Sequence, residues 1–246
     1  EDLRREAIRD FWRRRFYDAP REFVAFARAG GAGPDTFLEL TRRRSLDPYL
    51  RIVPEAPPVD LTALEPFREA FARLKAAWTV DRENVTALLH SPGLHKGKYR
   101  DPEGLAGAVD GYAAGESGIP VPGVLAKLTP EALKNGTNKG KTTPEHPFFN
   151  LCAELLDRRA ALEVQMADLL LHLKAEAIRR LPGDLADRKR RRNLQSFDDL
   201  LLDLHAVLAK PTGRHLAERL RDRYKAALID EYEDTDPVQY GIFQAL

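Results

Sequence analysis

The chain has 246 residues, of which 43% are hydrophobic and 31% are charged, so it is long enough to bury a core as one large or two small domains. Its 39 Lys and Arg residues nearly balance 38 Asp and Glu residues. This balance excludes a wholly basic protein of the kind that coats nucleic acid, so any contact with nucleic acid must be made by local basic patches. A single cysteine, Cys152, excludes an internal disulfide, and the lack of a long apolar run or signal peptide makes the cytoplasm the expected compartment.

Helical periodicity dominates the first ninety residues. Apolar side chains recur at helical spacing over residues 3–17 and predict an amphipathic helix. Asp81 is the expected N-cap of a later helix. Residues 51–60 contain three prolines and are expected to form a rigid connector, because proline breaks a regular helix. Further helices are predicted over residues 21–29, 34–44, 61–78 and 81–89.

The middle of the chain changes character. Residues 90–147 are rich in glycine, proline and lysine and have weak apolar periodicity, which predicts a loop-rich excursion. A stripe of apolar residues then predicts a long helix from Pro147 to about Leu181. Pro182 and the glycine after it are expected to interrupt this helix before a highly charged helix over residues 184–193.

The last fifty residues carry the motifs with chemical meaning. Amphipathic helices are predicted from Ser196 and over residues 213–223. The apolar run at residues 225–231 ends in Asp230 and Glu231, and it predicts a buried strand that delivers two carboxylates to the edge of a parallel sheet. A Walker B element has this form, because its metal-binding carboxylate must face the nucleotide phosphates from the carboxyl end of a strand.

The string IDEYEDTDPVQY at residues 229–240 resembles the DEFQDTDPVQ signature of the superfamily-one helicases related to UvrD, and its DPVQ part resembles the RecB branch. SFDDLL at residues 196–201 is similar to an element that precedes that signature in the same branch. Residues 9–17 are similar to the segment that leads into the family's helical accessory domain. A closely related AddA-like parent remains the alternative to a RecB-like one.

The resemblance implies a mainly α chain with two parts. Residues 1–195 would form a helical accessory domain that engages duplex DNA, with the loop-rich excursion at about 90–147. Residues 196–246 would be a fragment of a RecA-like motor domain, a short α/β remnant that carries the SFDDLL and Walker B elements. The chain does not begin with Met, which adds to the expectation of a piece of a longer protein.

The resemblance also implies an activity and its partners. The parent would be a subunit of an ATP-dependent DNA helicase and exonuclease of the exodeoxyribonuclease V type, acting in double-strand-break repair and recombination. ATP and Mg²⁺ would be cofactors of the intact motor, with none expected on this chain alone. DNA, without sequence specificity, and RecC- and RecD-like subunits would be its partners.

Site residues follow from the same resemblance. Asp230 would hold Mg²⁺ with ATP in the intact motor, and Glu231 would activate the attacking water. Asp199 would lie at the DNA-side surface of the motor. Glu233 stands where the family has Gln, and it replaces an amide that donates and accepts with a carboxylate that only accepts. The hydrogen bond that the family makes at this position is therefore in doubt.

The chain contains no pattern for a phosphate-binding loop. The segment GTNKGKT at residues 136–142 has three residues between its glycines, whereas the Walker A pattern requires four. Together with the lack of a nuclease motif, this predicts that the chain alone hydrolyses nothing. The alternative, a free-standing NTPase that uses this loop, predicts ATP turnover that Lys141→Ala abolishes.

Local basic clusters are the candidate contacts for DNA, since flexible cations can follow a phosphate backbone without reading sequence. The alternatives are a solvated surface and, for the arginines near residue 190, pairing with helix acids or orientation of a domain hinge. A different class of function is a protein-interaction scaffold that docks a partner subunit. The candidate DNA contacts are Lys96, Lys98, Arg100, Lys139, Lys141, Arg190 and Arg191.

Overall fold

The computed structural model describes residues 1–42, 51–53, 55 and 60–246. These residues are mainly α-helical, as the sequence predicts, and their β pairing is limited to a bridge between Leu94 and Thr137. Half of the proline-rich connector and the last two residues of the helix predicted over 34–44 lie outside the described residues. The described helices are α1 (Asp2–Phe16), α2 (Arg21–Ala29), α3 (Pro34–Arg42), α4 (Leu64–Leu89), α5 (Pro102–Ala114), α6 (Pro130–Asn135), α7 (Pro147–Arg192), α8 (Phe197–Leu208), α9 (Arg214–Arg223) and α10 (Pro237–Ala245).

The chain divides into two compact units. The first comprises Glu1–Arg13, Pro34–Glu55 and Lys174–Leu246, and the second comprises Arg14–Gly33 and Ala56–Leu173. The boundary between residues 195 and 196 rests on sequence motifs rather than on packing, and it stays a prediction.

Helix α4 is continuous, so the prediction of two helices with Asp81 as an N-cap is wrong. Its buried side chains, among them Phe67, Leu74, Trp78 and Val85, run along one stripe through the expected break. An aspartate after an apolar run looks like a helix start, but no glycine or proline near Asp81 ends the first helix.

Helix α7 runs through Pro182, so the predicted interruption at this residue is also wrong. Ala177 and Leu181 are buried just before the proline, whereas Pro182 is exposed. The packed stripe holds the helix, and the lost backbone donor lies on the side facing solvent. With 46 residues and a rise of about 1.5 Å each, α7 is about 69 Å long.

The excursion at residues 90–147 contains more regular structure than its composition predicts. Helix α5 was not expected, although Asp101 and Pro102 are a recognisable helix start. The Asp101 carboxylate accepts a hydrogen bond from the Gly104 amide at 2.8 Å. Thr129 caps α6 in the same way, with Pro130 at the first helical position.

The second unit has an aromatic and aliphatic core with a polar network at its margin. Trp78 of α4 packs on Phe148 of α7 at a ring separation of 5.0 Å. The Trp78 indole donates to the Asp110 carboxylate at 2.8 Å, and the Arg82 guanidinium donates to both oxygens of the same carboxylate. Asp110 therefore fixes α5 against α4, and both donors lower its pKa, the arginine more than the indole.

Candidate functional site

The acidic pair Asp230 and Glu231 does not follow a buried strand in this structure. Residues 224–231 are irregular, and Leu228, at 102% relative exposure, is fully accessible. The predicted strand is therefore wrong for the chain as described. A parallel strand is stable only between neighbours that take up its backbone hydrogen bonds, and the described residues contain no sheet to receive it.

The two carboxylates nevertheless lie at a cleft in the first unit. The Glu231 amide donates to the Asp230 carboxylate at 3.0 Å, and Glu231 adopts the left-handed conformation with φ of 48°. Both residues line an open cleft of about 510 Å³ between α8 and α10, together with Leu204 and Gln239. The structure thus brings the SFDDLL helix and the acidic pair together, while Glu233 is exposed in the short 3₁₀ turn that follows.

The DPVQ part of the motif is the start of helix α10. The Asp236 carboxylate accepts from the amides of Val238 and Gln239 at 2.8 and 2.9 Å, and the Gln239 side chain accepts from the Asp236 amide at 3.4 Å. This reciprocal arrangement is a capping box, with Pro237 at the first helical position. The motif therefore has a local structural reason in addition to any role at a nucleotide.

A second capping box opens α8 at the SFDDLL element. The Asp199 carboxylate accepts from the Ser196 amide at 2.7 Å and from the Lys189 ammonium at 2.7 Å. Partial burial by itself raises the pKa of Asp199, but the Lys189 and Ser196 donors outweigh it and the net pKa is lowered. Asp199 thus ties the end of α7 to the start of α8, and its expected place at a DNA-side surface stays a prediction.

Two of the basic clusters form one surface in the second unit. The segments 91–100 and 134–141 lie side by side through the bridge between Leu94 and Thr137. The His95 amide donates to the Gly136 carbonyl at 2.8 Å, and the Asn138 amide donates to the Gly93 carbonyl at 2.8 Å. We call this surface the basic platform; its exposed cations are Lys96, Lys98, Arg100, Lys134, Lys139 and Lys141.

The positive charges of the basic platform are not balanced within its own segments. Residues 91–100 and 132–144 contain no Asp or Glu. The buried Tyr99 lies beneath them, and its hydroxyl is 2.9 Å from the Lys127 carbonyl and 3.1 Å from the Ala132 carbonyl. The platform therefore combines a fixed backbone with long cationic side chains at its surface.

The third cluster, residues 188–192 at the end of α7, is largely occupied within the first unit. Arg188 contacts Asp10 at 2.6 Å, and Arg192 contacts Glu6 at 2.7 Å. Arg190 contacts Asp187 at 3.3 Å, the helical pairing that the sequence allowed, while Arg191 is exposed. Arg188 and Arg192 thus stabilise the packing of α7 on α1.

The GTNKGKT segment has no phosphate-loop geometry. Gly136 ends helix α6 instead of following a strand, and the next helix, α7, begins only at Pro147. A phosphate loop needs backbone amides that lead directly into a helix N-terminus. In the part of the chain that the structure describes, no group of three metal-ligating side chains is assembled, and no helix is long and apolar enough to cross a membrane.

Comparison with known proteins agrees with the two motifs at the acidic cleft. The model of the UvrD/REP helicase N-terminal domain matches residues 124–246, half of the chain. The chain belongs to this helicase family. The matched residues include the whole of α7, the SFDDLL segment and the acidic pair.

Among relatives in this helicase family, the RecBCD enzyme subunit RecB of Escherichia coli is 31% identical over 99% of the chain and 20% of its own length. The RecB protein of Haemophilus influenzae is 39% identical over 46% of the chain and 9% of its own length. The RecB protein of Buchnera aphidicola is 22% identical over 100% of the chain and 20% of its own length. The chain thus spans about a fifth of the Escherichia and Buchnera proteins, which it resembles along nearly all of its own length.

Sequence reasoning missed three features of these sites. Lys189 is part of the basic run at residues 188–192, yet its ammonium group pairs with the Asp199 carboxylate. The union of the two basic segments depends on the pairing of Leu94 with Thr137, which no local pattern indicates. A further cleft, between Lys134 and Phe149, is lined by residues that carry no motif.

Proposed function

We propose that this chain is the DNA-engaging part of a RecB-like subunit of an ATP-dependent DNA helicase and nuclease that acts in double-strand-break repair. Its family membership supports the helicase assignment, and the basic platform supports the contact with DNA. Six exposed cations on two braced segments without acids suit a phosphate backbone and have no means of reading base sequence.

The proposed ATP chemistry belongs to the intact motor. Asp230 would hold Mg²⁺, whose preference for carboxylate oxygen and phosphate ligands fits the acidic edge of the cleft. Glu231 would position and activate the attacking water, and segment 226–231 would join the motor's sheet. When bound, Mg²⁺ would neutralise charge on the transferred phosphoryl group.

DNA binding is tested by fluorescence anisotropy of a labelled duplex with the 246-residue chain over a series of salt concentrations. If about four to six cations contact phosphates, log K should fall against log salt with a slope of about −4 to −5, since each contact contributes about −0.9. Lys96→Ala and Lys139→Ala should each reduce the slope by about one. Lys210→Ala, an exposed lysine in the first unit, is the matched control and should leave it unchanged.

The same preparation tests the absence of catalysis. The chain should show no ATP turnover with or without DNA, because its segments hold the acidic pair but no Walker A pattern. Turnover that Lys141→Ala abolishes would instead support the free-standing NTPase.

A protein-interaction scaffold is the second candidate, and exposed apolar side chains of the first unit favour it. Phe197 is 78% exposed, and Leu200 and Leu228 are also accessible. Such side chains indicate a surface that another protein segment covers. Under this hypothesis a RecC- or RecD-like protein binds the chain, and duplex DNA does not bind even at low salt.

A further inference from the structure

A cleft opens directly beside the basic platform. It has a volume of about 550 Å³ and lies between α6 and the start of α7. Lys134 belongs both to the platform and to the lining of the cleft. The other groups used below are the side chains of Thr143, Glu145, His146, Phe149 and Asn150.

The chemistry of the cleft differs from that of the platform. Glu145 places a carboxylate at the cleft, which repels a phosphate. Thr143 and Asn150 supply a hydroxyl and an amide that both donate and accept hydrogen bonds. This mixture suits the edge of a nucleobase, which presents donors and acceptors side by side.

The aromatic side of the cleft is fixed in place. Phe149 is buried, and its ring meets the His146 ring edge to face at 6.2 Å. The His146 Nδ1 atom accepts a hydrogen bond from the Phe148 amide at 3.1 Å, which holds the imidazole at the start of α7. The Phe149 ring is itself almost fully covered, so a flat ring that enters the cleft would meet the partly exposed His146 imidazole that packs against it.

We infer that this cleft takes the base of an unpaired nucleotide from DNA whose backbone lies on the basic platform. The inference rests on the proposed function, because the platform must first hold the strand. A paired base would first have to leave its stack and its partner base, whereas an unpaired base is already free to enter. The surface accordingly prefers DNA with a single-stranded overhang or fork to a blunt duplex.

The test compares three DNAs of equal phosphate number by anisotropy with the 246-residue chain: a blunt duplex, a duplex with an overhang, and the same overhang built from abasic nucleotides. Base–aromatic contacts contribute about 1–3 kcal/mol per base, so the normal overhang should bind about 5- to 150-fold more tightly than the abasic one. The abasic overhang removes the bases while it keeps the charges.

Two variants assign the preference to the cleft. Asn150→Ala and Glu145→Gln change exposed side chains, and each should reduce the discrimination between normal and abasic overhangs without weakening the blunt duplex. Lys96→Ala is the matched control and should weaken all three DNAs by the same factor.

The outcomes separate this inference from the proposed function. Equal binding of the normal and abasic overhangs, with steep salt dependence for all three DNAs, overturns the nucleotide cleft and leaves the DNA platform standing. An overhang preference that survives both cleft variants also overturns it. No binding of any DNA at low salt overturns both proposals.

Discussion

The ion pair between Glu22 and Arg68 is the sharpest test of how the second unit is held together. The Glu22 side chain is 1% exposed, and both of its oxygens accept from the Arg68 guanidinium at 2.8 and 2.9 Å. Burial tends to raise the pKa of Glu22, but the Arg68 hydrogen bonds outweigh it, so the pKa is lowered. Arg68→Ala removes this partner and leaves a buried carboxylate.

The magnitude follows from the burial of the two partners. Loss of one partner from a fully buried ion pair costs about 3–5 kcal/mol. Arg68 is 40% exposed, so water can reach the space that the substitution opens. We therefore expect the free energy of unfolding to fall by about 2–3 kcal/mol at neutral pH, somewhat less than for a fully buried pair.

The pH dependence gives a second, independent signature. In the native protein the Glu22 contribution is present above the ordinary glutamate pKa and is lost as the pH falls through the lowered pKa of the folded state. In Arg68→Ala the buried carboxylate keeps only the more distant Arg21 guanidinium, 3.9 Å away, and burial should instead raise its pKa. The difference in stability between the two proteins should therefore shrink as the pH is lowered from about 7 to about 4.

Urea unfolding followed by far-ultraviolet circular dichroism measures both quantities. Arg73→Ala is the matched control, because Arg73 pairs with Glu154 at 2.6 Å at the surface of the same unit and its loss should change stability by less than about 1 kcal/mol. Buried charge at Glu22 does not explain the result if Arg68→Ala costs no more than Arg73→Ala, or if its cost is the same at both pH values.

Two further substitutions test the capping and network contacts. Lys189→Ala should speed hydrogen exchange at the first amides of α8 by about 5- to 10-fold, because the Asp199 carboxylate loses its cationic donor. Unchanged exchange would contradict this. Asp198→Asn, which alters an exposed neighbour, is the control. Asp110→Asn should lower the free energy of unfolding, measured by urea titration, by about 1–2 kcal/mol, because its hydrogen bonds to Trp78 and Arg82 become weaker. The control is Glu103→Gln, at an exposed side chain. A loss no larger than that of the control would argue against the network.

The sequence predicted what is local and periodic. The amphipathic helix α1, the helix α2 and the helix that begins after Ser196 are confirmed, because spacing and caps act over one or two turns. The mainly α character is confirmed for the described residues. The roles of Asp230, Glu231 and Glu233 rest on resemblance and stay predictions.

The failures share a physical cause, which is packing between distant segments. The local signals at Asp81 and Pro182 indicate helix ends, but continuous buried stripes hold both helices together. The strand expected over 226–231 needs sheet neighbours that the described residues do not supply. The basic platform could not be predicted for the same reason, because it depends on the pairing of Leu94 with Thr137, which are far apart in the sequence.

The bracing of the two platform segments has a consequence for how such a surface can vary among related chains. The His95 amide donates to the Gly136 carbonyl and so holds the two segments together, and nearly any residue supplies these main-chain atoms. The Lys98 ammonium adds a hydrogen bond to the Asn135 carbonyl at 3.3 Å, but the backbone bonds do not depend on any exposed side chain. Single substitutions can therefore change the charge of this face, and with it the affinity for a ligand, while the backbone pairing of the two segments is retained.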